Sequence, residues 1–377
     1  MSGLKVLHLH SSFDPGGKEL RCVQLMNAFG PDLHHSVVSA VAGAMGAAQR
    51  LQPGLHVDLA VDYPSLQGKP TPGRLMALAK AMAPYDLVLT YNFGAMDAVM
   101  AHTLFGDVLR LPPLVHHEDG FNQDEVEKRK PGRNWYRRIA LGRAKALVVP
   151  SQRLEAIAVT EWHQPHGKLR RIVNGIDTGA YGRKPKADAL PRLIKRPGEK
   201  WLGTLAGLRA VKNLPRLVRA FAALPDNWHL VILGEGPERD AIRAEAMAAK
   251  VGHRFHLPGH AADPARVVGL FDLFALSSDS EQFPISVVEA MAAGLAVAAT
   301  DVGDVRAMVS LENQPFIVPA SDEALGDALV RLAQDEALRN RIGAANRARA
   351  RAEYDQATMV EAYRATYGSA LGGMAFP

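Results

Sequence analysis

"SSDSEQFPISVVEAMAAG", Ser277 to Gly294, sets two carboxylates, Glu281 and Glu289, around a proline and an apolar run. Pro284 lacks an N–H and favours the first position of a helix, and Gly294 suits the stop of one. The spacing predicts a helix from near Pro284 to about Ala293, with Glu281 in the turn before it and Glu289 inside its first turns. The two carboxylates therefore do not share a helix face. They bracket a helix N-terminus, whose free N–H groups and dipole make a seat for phosphate. Carboxylates repel a phosphate placed directly on them, but they suit sugar or ribose hydroxyls on either side of it. The spacing leaves a second reading open. Ser286 and Glu289 also fit S-x-x-E, a capping box, which gives Glu289 a purely structural task.

Outward from this stretch, short β-type runs alternate with helical ones along the whole chain. "LKVLHLH", "HHSVVSAV", "LHVDLAV", "YDLVLTY", "PPLVHH" and "AKALVVPS" read as strands in the first half. "KWLGTLAGL", "WHLVILG", "HRFHLPG", "LFALSS", "LAVAAT" and "PFIV" do so in the second, and the end is helical. Buried apolar strands alternating with helices predict open parallel sheets covered on both faces. The rhythm breaks over 174–200, which is rich in Gly, Pro and Lys and reads as a linker. The expected fold is α/β, with two such domains facing each other. That arrangement puts the carboxyl ends of both sheets, where open α/β sheets bind ligands, on one cleft.

The chain has 377 residues, enough for two domains. Its single cysteine, Cys22, excludes an internal disulfide framework and an all-Cys zinc site and suits a reducing cytoplasm. The first ten residues hold no long apolar core of the signal-peptide kind, and no apolar stretch is long enough to span a membrane. The net charge of +5 is uneven. "KRKPGRNWYRRIALGRAK", Lys128 to Lys145, is strongly cationic and carries Trp135, Tyr136 and Ile139. It suits an anionic membrane surface or a lipid-linked acceptor, or equally a solvated helix with its apolar side on the core. No nucleic-acid-binding module accompanies the charge.

"EQFPISVVEAMAAG" resembles the E-x(7)-E motif of the family-four retaining glycosyltransferases, with Gln282 where that family usually has Gly. These are proteins of two facing Rossmann-like domains, the GT-B fold. Four more pieces are similar, in the family's order: "SSFDPGGKELR" to its first Gly-Gly loop, "RRIVNGIDTGAY" to its interdomain segment, "GTLAGLRAVKNLPRLVRAF" to its phosphate site, and "LVILGEGPERDAI" to its G-x-G-P segment. The resemblance implies a retaining, metal-independent enzyme that moves a sugar from a nucleotide-diphosphate sugar to an acceptor hydroxyl. UDP is the more frequent donor nucleotide and GDP stays open.

The resemblance also assigns residues. Gly16 and Gly17 lie beside the donor diphosphate. Arg209 and Lys212, with Asn213 as the N-cap of the following helix, neutralise it. Gly234, Gly236, Leu257 and Gly259 frame the base. Phe283, Pro284, Ile285 and Ser286 carry the helix start beside the donor, Glu289 takes the ribose, and Glu281 takes the transferred sugar. In "VHHEDGF" a cleft-facing histidine is expected near that sugar, His117 first and His116 as alternate, with Asp119 and Asn92 on the acceptor side. "HLH" and "HHED" offer metal ligands, but the resemblance gives them no metal and no cofactor. Residues 1–175, with 353–377 packing back on them, are expected to bind acceptor, and 176–352 donor. The acceptor is expected to be lipid-linked or a glycan, as in lipopolysaccharide, exopolysaccharide or glycolipid assembly. The expected location is the cytoplasm, peripheral on the inner face of the membrane. Alternatives are a GT-B phosphorylase or sugar-nucleotide epimerase, and a non-catalytic sugar-nucleotide or membrane-surface binding protein.

Overall fold

Alternation along each strand decides how the sheets are covered. In β1 (Leu4–His10), Val6 packs into one apolar cluster and Leu7 and Leu9 into another on the opposite face, as the period of two requires. The computed structural model describes all residues except 1, 2, 122–124, 126–128, 184, 191 and 192. The chain divides into two compact units, one of Met1–Val173 with Met359–Pro377, the other of Asn174–Thr358.

The first unit continues with β2 (Leu33–Ser39), β3 (His56–Asp58), β4 (Leu87–Tyr91), β5 (Leu114–His117), β6 (Ala146–Val149) and β7 (Leu169–Arg171). They form one sheet in the order β3-β2-β1-β4-β5-β6-β7, and every pairing is parallel. The helices Pro72–Met82, Met96–Phe105 and Gln152–Thr160 contribute to the cluster with Leu7 and Leu9. The helix Gly17–Phe29 and the C-terminal helix Gln356–Ala370, through Met359, Val360, Tyr363 and Tyr367, contribute to the cluster with Val6.

The second unit repeats the plan with β8 (Lys200–Leu205), β9 (Trp228–Leu233), β10 (Phe255–Gly259), β11 (Leu273–Leu276), β12 (Val297–Thr300) and β13 (Ile317–Val318). The order is β10-β9-β8-β11-β12-β13, again all parallel. Each sheet therefore reverses its strand order once, at β1/β4 and at β8/β11. That is the doubly wound pattern, in which ligands bind beyond the carboxyl ends of the strands at the reversal.

Two expectations change in detail. The stretch 174–200 is not wholly irregular. Asp177 accepts the Ala180 N–H at 3.0 Å and caps a short helix, Thr178–Tyr181. The strand expected over 55–61 shrinks to the three residues of β3, which pairs only with β2 at the sheet edge. No helix among the described residues is long and apolar enough to cross a membrane.

Candidate functional site

In the second unit the loops after β8 and β11 are sewn together. Ser277 Oγ donates to Lys212 O at 2.9 Å, Asp279 N donates to Val211 O at 2.9 Å, and Arg216 reaches Ser277 O at 3.0 Å. Asn213 adopts a left-handed conformation (φ 41°) and its side chain accepts the Arg216 N–H at 3.3 Å, so it is the N-cap expected of it for the helix Leu214–Phe221. These constraints fix Lys212 against Glu281. Lys212 Nζ donates to Glu281 Oε1 at 2.6 Å, and Ser278 Oγ donates to the same oxygen at 2.6 Å. Arg209, just before this turn, is exposed.

The helix after Glu281 runs Ile285–Ala292, with Pro284 as its N-cap and Gly294 at φ 79° beyond its end. Pro284 therefore sits one residue earlier than expected, because its backbone is extended (ψ 107°). The capping box does not form. Ser286 lies inside the helix, and no side chain caps its start. Glu289 Oε1 instead accepts the Tyr181 hydroxyl at 2.6 Å. Burial raises the Glu289 pKa above its ordinary value, against the opposing effect of that hydrogen bond. Phe283 is buried edge-on to the Tyr354 ring, 5.7 Å between centroids, while Ile285 and Ser286 stay partly open.

The loop after β9 passes very close to the loop after β8. A Cβ on Gly234 (φ 158°) would lie 1.8 Å from Ala206 O, and one on Gly236 (φ 155°) 2.4 Å from Leu208 O. Both positions require glycine whatever binds beside them. Leu257 O already accepts from Arg239 Nη2 at 3.0 Å, and Gly259 O from Gly234 N at 2.9 Å.

In the first unit, Gly16 caps the helix Gly17–Phe29 with extended backbone (φ −146°). A Cβ on Gly17 would meet nothing within 4 Å, and one on Gly16 only the Glu19 carboxylate, at 2.7 Å. The space beside Gly17 is open, whereas a side chain on Gly16 would have to displace the Glu19 carboxylate. Asn92 and Asp119 come together as well. Asp119 N donates to Asn92 Oδ1 at 2.7 Å, and Arg21 Nη2 donates to Asp119 Oδ2 at 2.9 Å, with its other arm on Oδ1. Burial opposes ionisation of Asp119, but the Arg21 charge and hydrogen bonds outweigh it and hold the carboxyl below its usual value.

The histidines differ from expectation. His117 is fully buried and stacks on Tyr91, ring centroids 4.6 Å apart. Its Nδ1 lies 3.1 Å from Thr90 O and its Nε2 3.0 Å from the Tyr367 hydroxyl. A carbonyl only accepts, so Nδ1 carries the proton and Nε2 receives that of Tyr367. Burial pushes the imidazole pKa down to about 3. With both nitrogens committed to the core, His117 does not line an open site. His116 is equally buried, with Nδ1 at 2.8 Å from Thr90 Oγ1 and Nε2 at 3.4 Å from Glu118 Oε2. The C-terminal helix, through Tyr363 and Tyr367, occupies the side that was expected to be open.

The basic stretch divides between core and surface. Lys128 lies outside the described residues. Arg137 on the helix Pro131–Ala140 is fully buried, paired with Glu118 and Glu125 and lying over the rings of Phe93 and Trp162. Arg129, Arg133 and Arg143 pair with Glu161, Glu125 and Asp107. Most of these cations hold the first unit together. Trp135, Arg138 and Lys145 remain exposed.

Four contributors escaped the sequence reading: Tyr181, Ser278, Arg21 and Tyr367. Tyr181 and Glu289 are 108 residues apart, and no local pattern signals such a pair.

Comparison with known proteins bears on the family and the fold. The model of "Glycosyltransferase Family 4" matches residues 15–180, and that of "Glycosyl transferases group 1" matches 186–349. The N-acetyl-alpha-D-glucosaminyl L-malate synthase of Bacillus anthracis is 23% identical over 283 residues, 74% of this chain and 72% of that protein. The phosphatidyl-myo-inositol mannosyltransferase of Mycobacterium tuberculosis is 30% identical over 213 residues, 53% of this chain and 54% of its own length. Among solved structures, Anabaena HepE in complex with UDP superposes with a TM-score of 0.80 at 21% identity, covering 97% of this chain and 100% of that one. WaaG, a glycosyltransferase involved in lipopolysaccharide biosynthesis, gives 0.67 at 16% identity over 95% and 98%. Two parallel sheets of matching strand order, two consecutive family matches and these neighbours agree: the chain belongs to the family-four-like glycosyltransferases and has the GT-B fold.

Proposed function

We propose that the second unit binds a nucleotide-diphosphate sugar, with a UDP-sugar preferred, and that the first unit presents the acceptor hydroxyl. The observation that carries this is the pairing of Lys212 with Glu281 and of Tyr181 with Glu289 on either side of one helix start. A diphosphate fits the free N–H groups there, with Lys212 and the exposed Arg209 supplying positive charge. Glu289 receives ribose hydroxyls in place of Tyr181, and Glu281 receives hydroxyls of the transferred sugar. The UDP and UDP-glucose complexes solved for HepE support the choice of UDP.

The proposed transfer retains the anomeric configuration and needs no metal on the diphosphate. The acceptor oxygen attacks from the side the nucleotide leaves, and a leaving phosphate oxygen takes the acceptor proton. Rate then comes from positioning and from the cations that stabilise the departing charge. Within the first unit, Asn92 and Asp119, locked by Arg21, orient the acceptor. With His117 in the core, no role falls to it in contacting substrate. The similarity to a phosphatidyl-myo-inositol mannosyltransferase supports a lipid-linked acceptor, with a glycan as the other candidate and with Trp135, Arg138 and Lys145 as the residues that meet an anionic surface.

The test is release of UDP from a panel of UDP-sugars as candidate acceptors are added, with the product anomer assigned by NMR. Acceptor-dependent UDP release with an unchanged anomer is expected. Binding of UDP-sugars without acceptor-dependent release from any of them, or an inverted product, contradicts the proposal.

A further inference from the structure

Beneath the Gly-Gly loop of the first unit lies a buried cluster that the transfer reaction does not use. His8 and His10 are two apart on β1 and so point to the same face of the sheet, and Cys22 meets them from the helix Gly17–Phe29. One ligand atom from each of the three lies within 4.8 Å of the other two, and all three residues are buried. His8 Nδ1 is 3.4 Å from Cys22 Sγ, and the Tyr91 hydroxyl is 3.2 Å from that nitrogen and 3.5 Å from the sulfur. A further small cavity of about 10 Å³ is lined by His8, Cys22, His35 and Tyr91.

His10 makes the cluster hard to explain as packing alone. It is fully buried, and neither ring nitrogen has a hydrogen-bond partner among the described residues. Its ring is stacked on Tyr91, centroids 3.9 Å apart, with a nitrogen turned to His8 and Cys22. A stranded buried nitrogen is costly and calls for an occupant. His8 is prepared as a ligand in another way. Its Nε2 is 2.9 Å from His35 Nδ1, so the second nitrogen is oriented by a neighbour while Nδ1 faces the cluster, the outer hydrogen bond typical of metal-bound imidazole.

We propose that His8, His10 and Cys22 bind a zinc ion, with the Tyr91 hydroxyl or a water completing the tetrahedron and His35 orienting His8. Two imidazoles and a thiolate are borderline-soft donors that suit zinc, and they offer too few oxygens for calcium or magnesium. Zinc bonds of about 2.0–2.3 Å set neighbouring ligand atoms roughly 3.5 Å apart, close to the His8–Cys22 separation already present. Binding of the dication displaces the Cys22 thiol proton to solvent. The nearby cations are compensated, Lys18 by Glu19 and Arg21 by Asp119. His10 and Cys22 flank the loop 11–16, so the ion would clamp both stems of the segment that carries Gly16. The role is structural and independent of the sugar-transfer reading.

Cys22 is the only cysteine, so a thiolate–metal signal has one possible source. The untagged full chain is unfolded in chelator, refolded with Co²⁺ or Zn²⁺, and desalted. The expected result is one metal per chain and, with Co²⁺, a near-ultraviolet thiolate charge-transfer band with tetrahedral visible bands. Cys22→Ala abolishes the band and the retained metal, and His10→Phe, which keeps an aromatic ring on Tyr91, loses the metal while remaining folded by circular dichroism. His35→Phe keeps the band but weakens metal binding roughly tenfold to a hundredfold. A refolded wild-type chain that retains no metal, or retains Co²⁺ without the thiolate band, overturns the proposal without recourse to any variant.

Discussion

Glu289 accepts a hydrogen bond from Tyr181 and stands half-buried on the first turns of its helix. Its raised pKa has two opposite consequences for pH. In the unliganded protein the folded state holds that proton more tightly than the unfolded chain. The resulting stability is present at low pH and lost as pH rises through the folded value. Ribose binding needs the carboxylate, so UDP affinity should fall as pH drops through the same value, starting above the ordinary glutamate range. Tyr181→Phe removes the one contact that lowers this pKa and should move the midpoint upward. A titration of UDP affinity against pH for both proteins checks this; identical midpoints contradict it. The local chemistry of this residue was only half legible in sequence. S-x-x-E reads as a capping box until the helix start is located at Pro284, which puts Ser286 inside the helix and frees Glu289 for a partner 108 residues away.

At the scale of elements, the helix Pro131–Ala140 reads in sequence equally as a membrane-facing basic helix and as a solvated one with its apolar side on the core, and it puts Arg137 in the core. Periodicity gives the helix, but the sign of a residue does not tell which face a neighbouring carboxylate occupies. Glu118 and Glu125 meet Arg137 in the core. Removing one partner from a buried ion pair costs about 3–5 kcal/mol, so Arg137→Ala should unfold at distinctly lower urea, and an unchanged midpoint contradicts the assignment. Arg138→Gln with Lys145→Gln should leave stability alone. If the exposed face meets anionic lipid, each charge contributes about 1 kcal/mol, and co-sedimentation with phosphatidylserine vesicles should weaken by more than tenfold. Equal sedimentation of parent and variant removes the surface from the account. His117 failed in the same way. "VHHEDGF" marks the end of a strand correctly, and β5 does end at His117. What covers that end is a helix some 250 residues later, through Tyr367, and strand-end position alone could not reveal it.

For the whole molecule, the two parallel sheets were legible from alternating strand and helix patterns, and five ordered motifs pointed to the family; the strand order within each sheet was not. The loop-to-loop stitching that sets Lys212 on Glu281 was not, because it depends on backbone bonds between β8 and β11 loops. If Arg209, Lys212 and the helix start compensate the diphosphate, brief EDTA treatment of the folded enzyme should leave turnover intact. Loss of turnover that Mg²⁺ or Mn²⁺ restores contradicts metal-independent transfer.

Glu289 is proposed to hold the ribose of the donor nucleotide in the second unit. Calorimetric titration of UDP into the parent chain and into Glu289→Gln tests it without knowledge of sugar or acceptor. Losing a charge-assisted contact of about 1.5–3 kcal/mol should weaken UDP roughly tenfold to a hundredfold, while the melting temperature without ligand barely moves. A Glu289→Gln chain that binds UDP as tightly as the parent would contradict the account.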